Sequence, residues 1–195
     1  PTYDPNDIAD HDIEAAGKAY DRLASDPQHP LSNRAAREIY PPGSTFKLVT
    51  AAAALADGKT PDSTVESPDR LKLPNTQVFL PNSTNCGGTK ITISQALKVS
   101  CNTAFANLGL ELGQDKLREQ AQAFGFDQRH LADLGGVASQ FPDKLNKAQL
   151  ALSSIGQYDV AASPLQMAMV SAAIANDGVL MDPYVVSSVR AHDLK

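Results

Sequence analysis

The chain has 195 residues, enough to bury one substantial core, and its 42% hydrophobic and 20% charged content excludes a disordered polypeptide. A formal net charge of −5, with no dense lysine or arginine tract, argues against nucleic acid as a partner. The longest apolar runs, Leu48 to Ala56 and Met167 to Ala175, are too short to cross a bilayer.

The opening Pro1-Thr2-Tyr3-Asp4-Pro5-Asn6 has no signal-peptide pattern and reads as the middle of a protein, so an export signal or membrane anchor is expected upstream. Residues 1–39 are polar and broken by Pro27 and Pro30. A helix is predicted from about Asp12 to Leu23, where Ala15, Ala16, Ala19, Tyr20 and Leu23 recur at helical spacing. Next comes Tyr40-Pro41-Pro42-Gly43-Ser44-Thr45-Phe46-Lys47, followed by an almost unbroken run of Ala, Leu, Val and Thr to Ala56. That run reads as a buried helix. The two prolines cannot lie in the helix body and Gly43 permits a sharp turn, so the helix is predicted to begin at about Ser44.

Residues 57–90 carry Gly58, Pro61, Pro68, Pro74, Pro81, Gly87 and Gly88 and read as a loop-rich excursion with one small hairpin, with short extended pieces near Val78 to Leu80 and Lys90 to Ile93. Helices are then predicted at Ser94 to Val99, Thr103 to Leu112 and Gln114 to Phe124, with stops at Gly113 and Gly125. Residues 127–147 look irregular and Ala148 to Ser154 helical. Ser163 as cap and Pro164 at the first position start a helix that runs to Asn176. Pro183 to Arg190 reads as a strand. There is no repeat, low-complexity tract or linker, so residues 1–195 read as one domain.

Residues at i and i+3 share a helical face, which sets Lys47 beside Ser44. A serine hydroxyl needs a neighbouring base to become a nucleophile. A lysine at the mouth of an apolar helix has its charged form disfavoured and can be that base. The backbone N–H groups at the helix start can hold a developing oxyanion. The ordinary reading of S-x-x-K is a serine cap and a solvated lysine. Pro-Pro-Gly before the serine and the apolar helix after it favour chemistry instead.

Ser100 and Asn102 flank a break between two predicted helices and can aim their polar ends the same way. A hydroxyl there suits a proton relay to a leaving amine, and a carboxamide suits holding Lys47 or a substrate amide. Cys86 and Cys101 are either a disulfide or two free buried thiols. Two thiols with no nearby histidine do not make a zinc site, so neither metal nor cofactor is expected.

Pro42-Gly43-Ser44-Thr45-Phe46-Lys47, then Ser100-x-Asn102, then Gly156-Gln157 and Ser163-Pro164-Leu165-Gln166-Met167-Ala168, resemble the transpeptidase domain of class B penicillin-binding proteins. Tyr3-Asp4-Pro5-Asn6 and Asn33-Arg34-Ala35 extend the likeness over nearly the whole chain. The resemblance implies an α+β serine penicilloyl-transferase fold, an antiparallel sheet with flanking helices joined to a mostly helical subdomain. It implies Ser44 as the acylated nucleophile, Lys47 as general base, and Ser100 and Asn102 as the opposite wall of the cleft. The implied reaction cross-links peptidoglycan stem peptides through an acyl-enzyme, with β-lactam antibiotics as mimics of the donor. Other cell-wall synthesis proteins are the implied partners, on the extracytoplasmic side of the membrane. A D,D-carboxypeptidase, a β-lactamase-like hydrolase and a non-catalytic β-lactam sensor are the alternatives.

One departure stands out. The family's third motif, a K-T-G or K-S-G strand, is absent, and Lys59-Thr60-Pro61 is a decoy because its proline cannot supply a ladder N–H. The domain is therefore expected to be incomplete in this chain, its C-terminal strands missing, and the isolated piece inactive. Within the resemblance, Cys101 lies inside the second motif and Cys86 in the turn before it, so the two are expected to pair. His11, His29, His130 and His192 read as surface residues, and Gly156-Gln157 as packing at the cleft floor. Asp143-Lys144-Leu145-Asn146 is faintly like a deacylating loop, but Pro142 stands where a glutamate would be needed.

Overall fold

The computed structural model describes residues 2–188. Its first helix, α1 (Ile13–Ala24), is capped by Asp12, whose carboxylate accepts from the N–H groups of Glu14 and Ala15. It buries none of its side chains, and Ile13 and Tyr20 remain exposed. The short α2 (Arg34–Arg37) then leads to the proline pair. Ser44 does not start an α-helix. Gly43–Phe46 forms a 3-10 turn, and α3 (Lys47–Ala56) continues from it. Gly43, at φ 56°, sets the bend.

Helix α3 is the axis of the core. Phe46 and Val49 are fully buried, and Phe46 packs edge-on against Phe126 and stacked on Phe141, with centroids 5.6 and 5.8 Å away. Around α3 lie α4 (Ile93–Lys98), α5 (Asn102–Leu112) and α6 (Gln114–Ala123), which supply Ile93, Phe105 with Leu108, and Leu117 respectively to the same cluster. Helices α7 (Lys147–Ser153) and α8 (Pro164–Ala175) close it, the first capped by a reciprocal Asn146–Gln149 box and the second by Ser163. The predicted cap and proline of α8 are therefore found at their predicted positions.

The excursion between α3 and α4 holds two antiparallel pairs where one hairpin was predicted. Strand β2 (Arg70–Lys72) pairs locally with β3 (Phe79–Pro81). Strand β1 (Thr64–Glu66) pairs with the distant β4 (Lys90–Thr92), Val65 opposite Ile91, and both of those side chains are buried. The extended pieces expected near Val78 to Leu80 and Lys90 to Ile93 are β3 and β4, whereas the three residues of β1 and of β2 carry too little alternation to be read locally and are selected by their partners and the core below. Of the strand predicted at Pro183 to Arg190, residues 183–188 form no strand, and the remainder lies outside the described residues, as does His192. His11 and His29 are exposed as expected, but His130 is not: its side chain is only 9% exposed, and Nε2 lies 3.0 Å from the Gly125 carbonyl. The positive φ of Gly125 turns that carbonyl towards the ring.

Candidate active site

The 3-10 turn leaves Ser44 exposed and drops Lys47 to 1% exposure behind it. Nζ of Lys47 stands 3.2 Å from Ser44 Oγ, as the i to i+3 spacing requires. From across the cleft, Ser100 offers both its carbonyl oxygen at 2.7 Å and its Oγ at 2.9 Å, and Asn102 offers Oδ1 at 2.7 Å. All four predicted side chains therefore meet on one amine.

Desolvation by burial lowers the Lys47 pKa from the usual lysine value to about 8. Among the described residues no carboxylate neighbours it to hold the charge; its partners are two carbonyl oxygens and two hydroxyls. A neutral amine has two N–H donors and one lone pair. The carbonyl oxygens of Ser100 and Asn102 only accept, so they take the two donors. The lone pair is left for a hydroxyl, either Ser44 or Ser100. Such an arrangement can move a proton off one hydroxyl and onto the other.

The second wall is built by unusual backbone. Ser100 sits at φ 56°, in the left-handed region, and in this conformation both its carbonyl and its hydroxyl face Lys47. A non-glycine residue held there costs about 1 kcal/mol or more and needs support from its surroundings. Support comes from a Cys86–Cys101 disulfide, with Cα atoms 5.5 Å apart, on the residue between Ser100 and Asn102. Asn82 adds to it by accepting from the Thr103 N–H at 2.9 Å and donating to the Pro68 carbonyl at 3.0 Å. Asn102 is oriented from behind, its Nδ2 donating to the Pro81 carbonyl at 3.1 Å. Nothing in the sequence marked Asn82 or the Pro81 carbonyl as part of the site, because their partners lie 14 to 21 residues away along the chain.

The cleft floor is closed by an interlock of two glycines. Gly43 N–H donates to the Gly156 carbonyl at 2.9 Å, and a Cβ on Gly156 would stand 2.1 Å from the Gly43 carbonyl oxygen. The packing role expected for Gly156-Gln157 is what the structure shows, and Gln157 also lines the cavity beside Ser44. Lys59 pairs with Glu111 at 2.6 Å, and neither residue lines that cavity. Asp143 is held by Arg118 at 2.7 Å and lines a separate cavity.

Residues 1–195 match the family described as penicillin binding protein transpeptidase domain. The chain belongs to that family. It is 48% identical over 198 residues to peptidoglycan D,D-transpeptidase PbpA of Mycolicibacterium smegmatis, covering all of this chain and 40% of that protein. Among solved structures it is similar to the imipenem acyl-enzyme of penicillin-binding protein A from M. tuberculosis, at TM-score 0.89 and 42% identity over the whole chain and 45% of the other. A D,D-transpeptidase domain from Eggerthella lenta superposes at TM-score 0.81 with 34% identity, over all of this chain and 49% of that one. The α+β penicilloyl-transferase fold inferred from the motifs is therefore established. The chain spans about 40% of the length of the PbpA relatives.

Proposed function

We propose that this chain forms the acylation centre of a peptidoglycan D,D-transpeptidase, with Ser44 as nucleophile, Lys47 as general base and Ser100 as proton relay. The reading is carried by the single buried amine that lies within hydrogen-bond reach of both hydroxyls. Ser44 Oγ attacks the penultimate D-alanyl carbonyl carbon, and its proton passes to the lone pair of Lys47. The backbone N–H groups of the turn at Ser44 face the developing oxyanion. On collapse the C–N bond to the terminal D-alanine breaks. The leaving amine takes the Ser100 proton, and Ser100 is refilled from Lys47. The amine of a neighbouring stem peptide then attacks the ester, transfers a proton back along the same path, and releases Ser44.

β-Lactams enter the same scheme: Ser44 opens the strained ring and the acyl group stays on. The acyl-enzyme structure of the related penicillin-binding protein A supports this. The cation that would hold a donor carboxylate belongs in this reading to the K-T-G strand of the rest of the domain. A membrane anchor upstream would place the protein outside the cytoplasm, where a disulfide persists; no described helix is itself long and apolar enough to cross a membrane. Asp143 is paired with Arg118, the position before it is Pro142, and among the described residues lining the cavity beside Ser44 there is no carboxylate to activate a hydrolytic water.

The test is labelling of the whole protein with a fluorescent penicillin, followed by intact-mass measurement. Wild type should gain one penicilloyl mass and Ser44→Ala none; labelling that survives Ser44→Ala overturns the assignment. Supplying a stem-peptide donor with a D-amino acid acceptor should give the exchanged peptide, whereas simple loss of D-alanine to water would mark a carboxypeptidase.

A further inference from the structure

The turn after α7 contains a residue that the chemistry above leaves unused. Two left-handed positions, Gly156 at φ 72° and Tyr158 at φ 63°, reverse the chain between α7 and the buried Val160. Glycine fills the first at no steric cost. At the second a bulky aromatic occupies a conformation that is sterically disfavoured for it. The core does not recover that cost, because Tyr158 is 42% exposed and Val160 does the packing.

The ring is nevertheless held at both ends. Its backbone is fixed by the turn, and its Oη accepts a 2.7 Å hydrogen bond from Nε2 of Gln149. The other end of that amide is committed as well, since Gln149 Oε1 accepts from the Asn146 N–H at 2.9 Å within the α7 cap. An exposed aromatic ring is thus presented as a fixed plate. It lines a cavity of about 470 Å³ together with Ser44, Asn102, Leu80, Leu152 and Ile155.

We propose that Tyr158 is a specificity-determining residue whose ring forms an apolar wall for the acyl side of the donor. The occupant is the methylene-bearing part of the peptide that precedes the scissile carbonyl. The inference rests on the transpeptidase reading of Ser44. A donor bound at Ser44 extends two ways, towards its terminal carboxylate and towards its acyl side. The carboxylate belongs beside the cation that this reading assigns to the K-T-G strand, whereas the three aliphatic side chains and the aromatic face lining this cavity suit carbon-rich substituents. In a β-lactam the acylamino side chain occupies the equivalent position.

The experiment compares acylation rate constants of the whole protein for two penicillins sharing one nucleus: benzylpenicillin, and 6-aminopenicillanic acid, which lacks the acyl side chain. Tyr158→Asn removes the ring while keeping a residue that tolerates the left-handed turn, and Tyr158→Phe keeps the ring but loses the Gln149 bond. In Tyr158→Asn the benzylpenicillin rate should fall about tenfold and the 6-aminopenicillanic acid rate stay within about twofold, while Tyr158→Phe retains most of the wild-type preference. Equal losses for both compounds would assign Tyr158 a structural role only, and unchanged rates for both would show that the ring touches nothing; either result overturns the proposal. Wild type that accepts neither compound would instead overturn the reading of Ser44, and this proposal with it.

Discussion

At the residue scale everything turns on one amine. With a pKa of about 8, roughly a tenth of the molecules hold Lys47 as free base at pH 7, against about 0.03% at the usual lysine value. The shift is downward, so the reactive form accumulates as pH rises through about 8. Acylation of Ser44 by a β-lactam should therefore climb about tenfold per pH unit below that point and level off above it, as stopped-flow rates across pH 6 to 10 will check. Asn102→Asp would set a carboxylate where Oδ1 lies 2.7 Å from Nζ and stabilise the ammonium. Its pH profile should move to higher pH and its rate at pH 7 should drop; an unshifted profile would remove Asn102 from the electrostatics of the amine. Lys47→Ala should slow acylation at least ~10²-fold without unfolding the protein.

At the scale of elements, the helices were legible, and of the strands only β3 and β4 were, without their partners. Asp12, Ser163 and Pro164 each announce a helix start by local chemistry, and the structure has helices beginning at Ile13 and Pro164. Ser44 and Lys47 were legible for the same reason, because their proximity follows from three intervening peptide bonds. Ser100 and Asn102 were legible only through family motifs, since their approach to Lys47 spans 53 and 55 residues. The β1–β4 pairing and the Gly43–Gly156 interlock had no local signal, as each depends on a partner distant in the chain. Two tests belong at this scale. Gly156→Ala would drive a Cβ to 2.1 Å from the Gly43 carbonyl oxygen, so melting temperature and acylation rate should both fall. Replacing Cys86 and Cys101 together by serine opens a loop of 15 residues, worth about 3 kcal/mol in the chain-entropy account. Thermal unfolding should register that loss, and the left-handed Ser100 should be looser and slower in catalysis.

At the scale of the whole molecule, the site is not a graft on an indifferent scaffold. Phe46 stands between Ser44 and Lys47 in sequence and at the centre of the core in space, touching Phe126 and Phe141. Phe46→Ala should cost about 3–5 kcal/mol, measurable by denaturant unfolding, and the residual folded protein should acylate slowly because the turn has lost its anchor. Residues 1–195 contain no K-T-G or K-S-G strand. Expressed alone they should therefore react with penicillin at least ~10²-fold more slowly than the whole protein.

The grip on Lys47 has a further consequence. An unprotonated amine 3.2 Å from an ester oxygen is a rival to every incoming acceptor, and capture of the acyl group as an internal amide would kill the enzyme after one turnover. Ser100 and Asn102 tether that amine by both of its hydrogens to the facing side of the groove. The same bonds that aim the base thereby guard against self-inactivation, and loosening them should expose the protein to suicide by its own lysine.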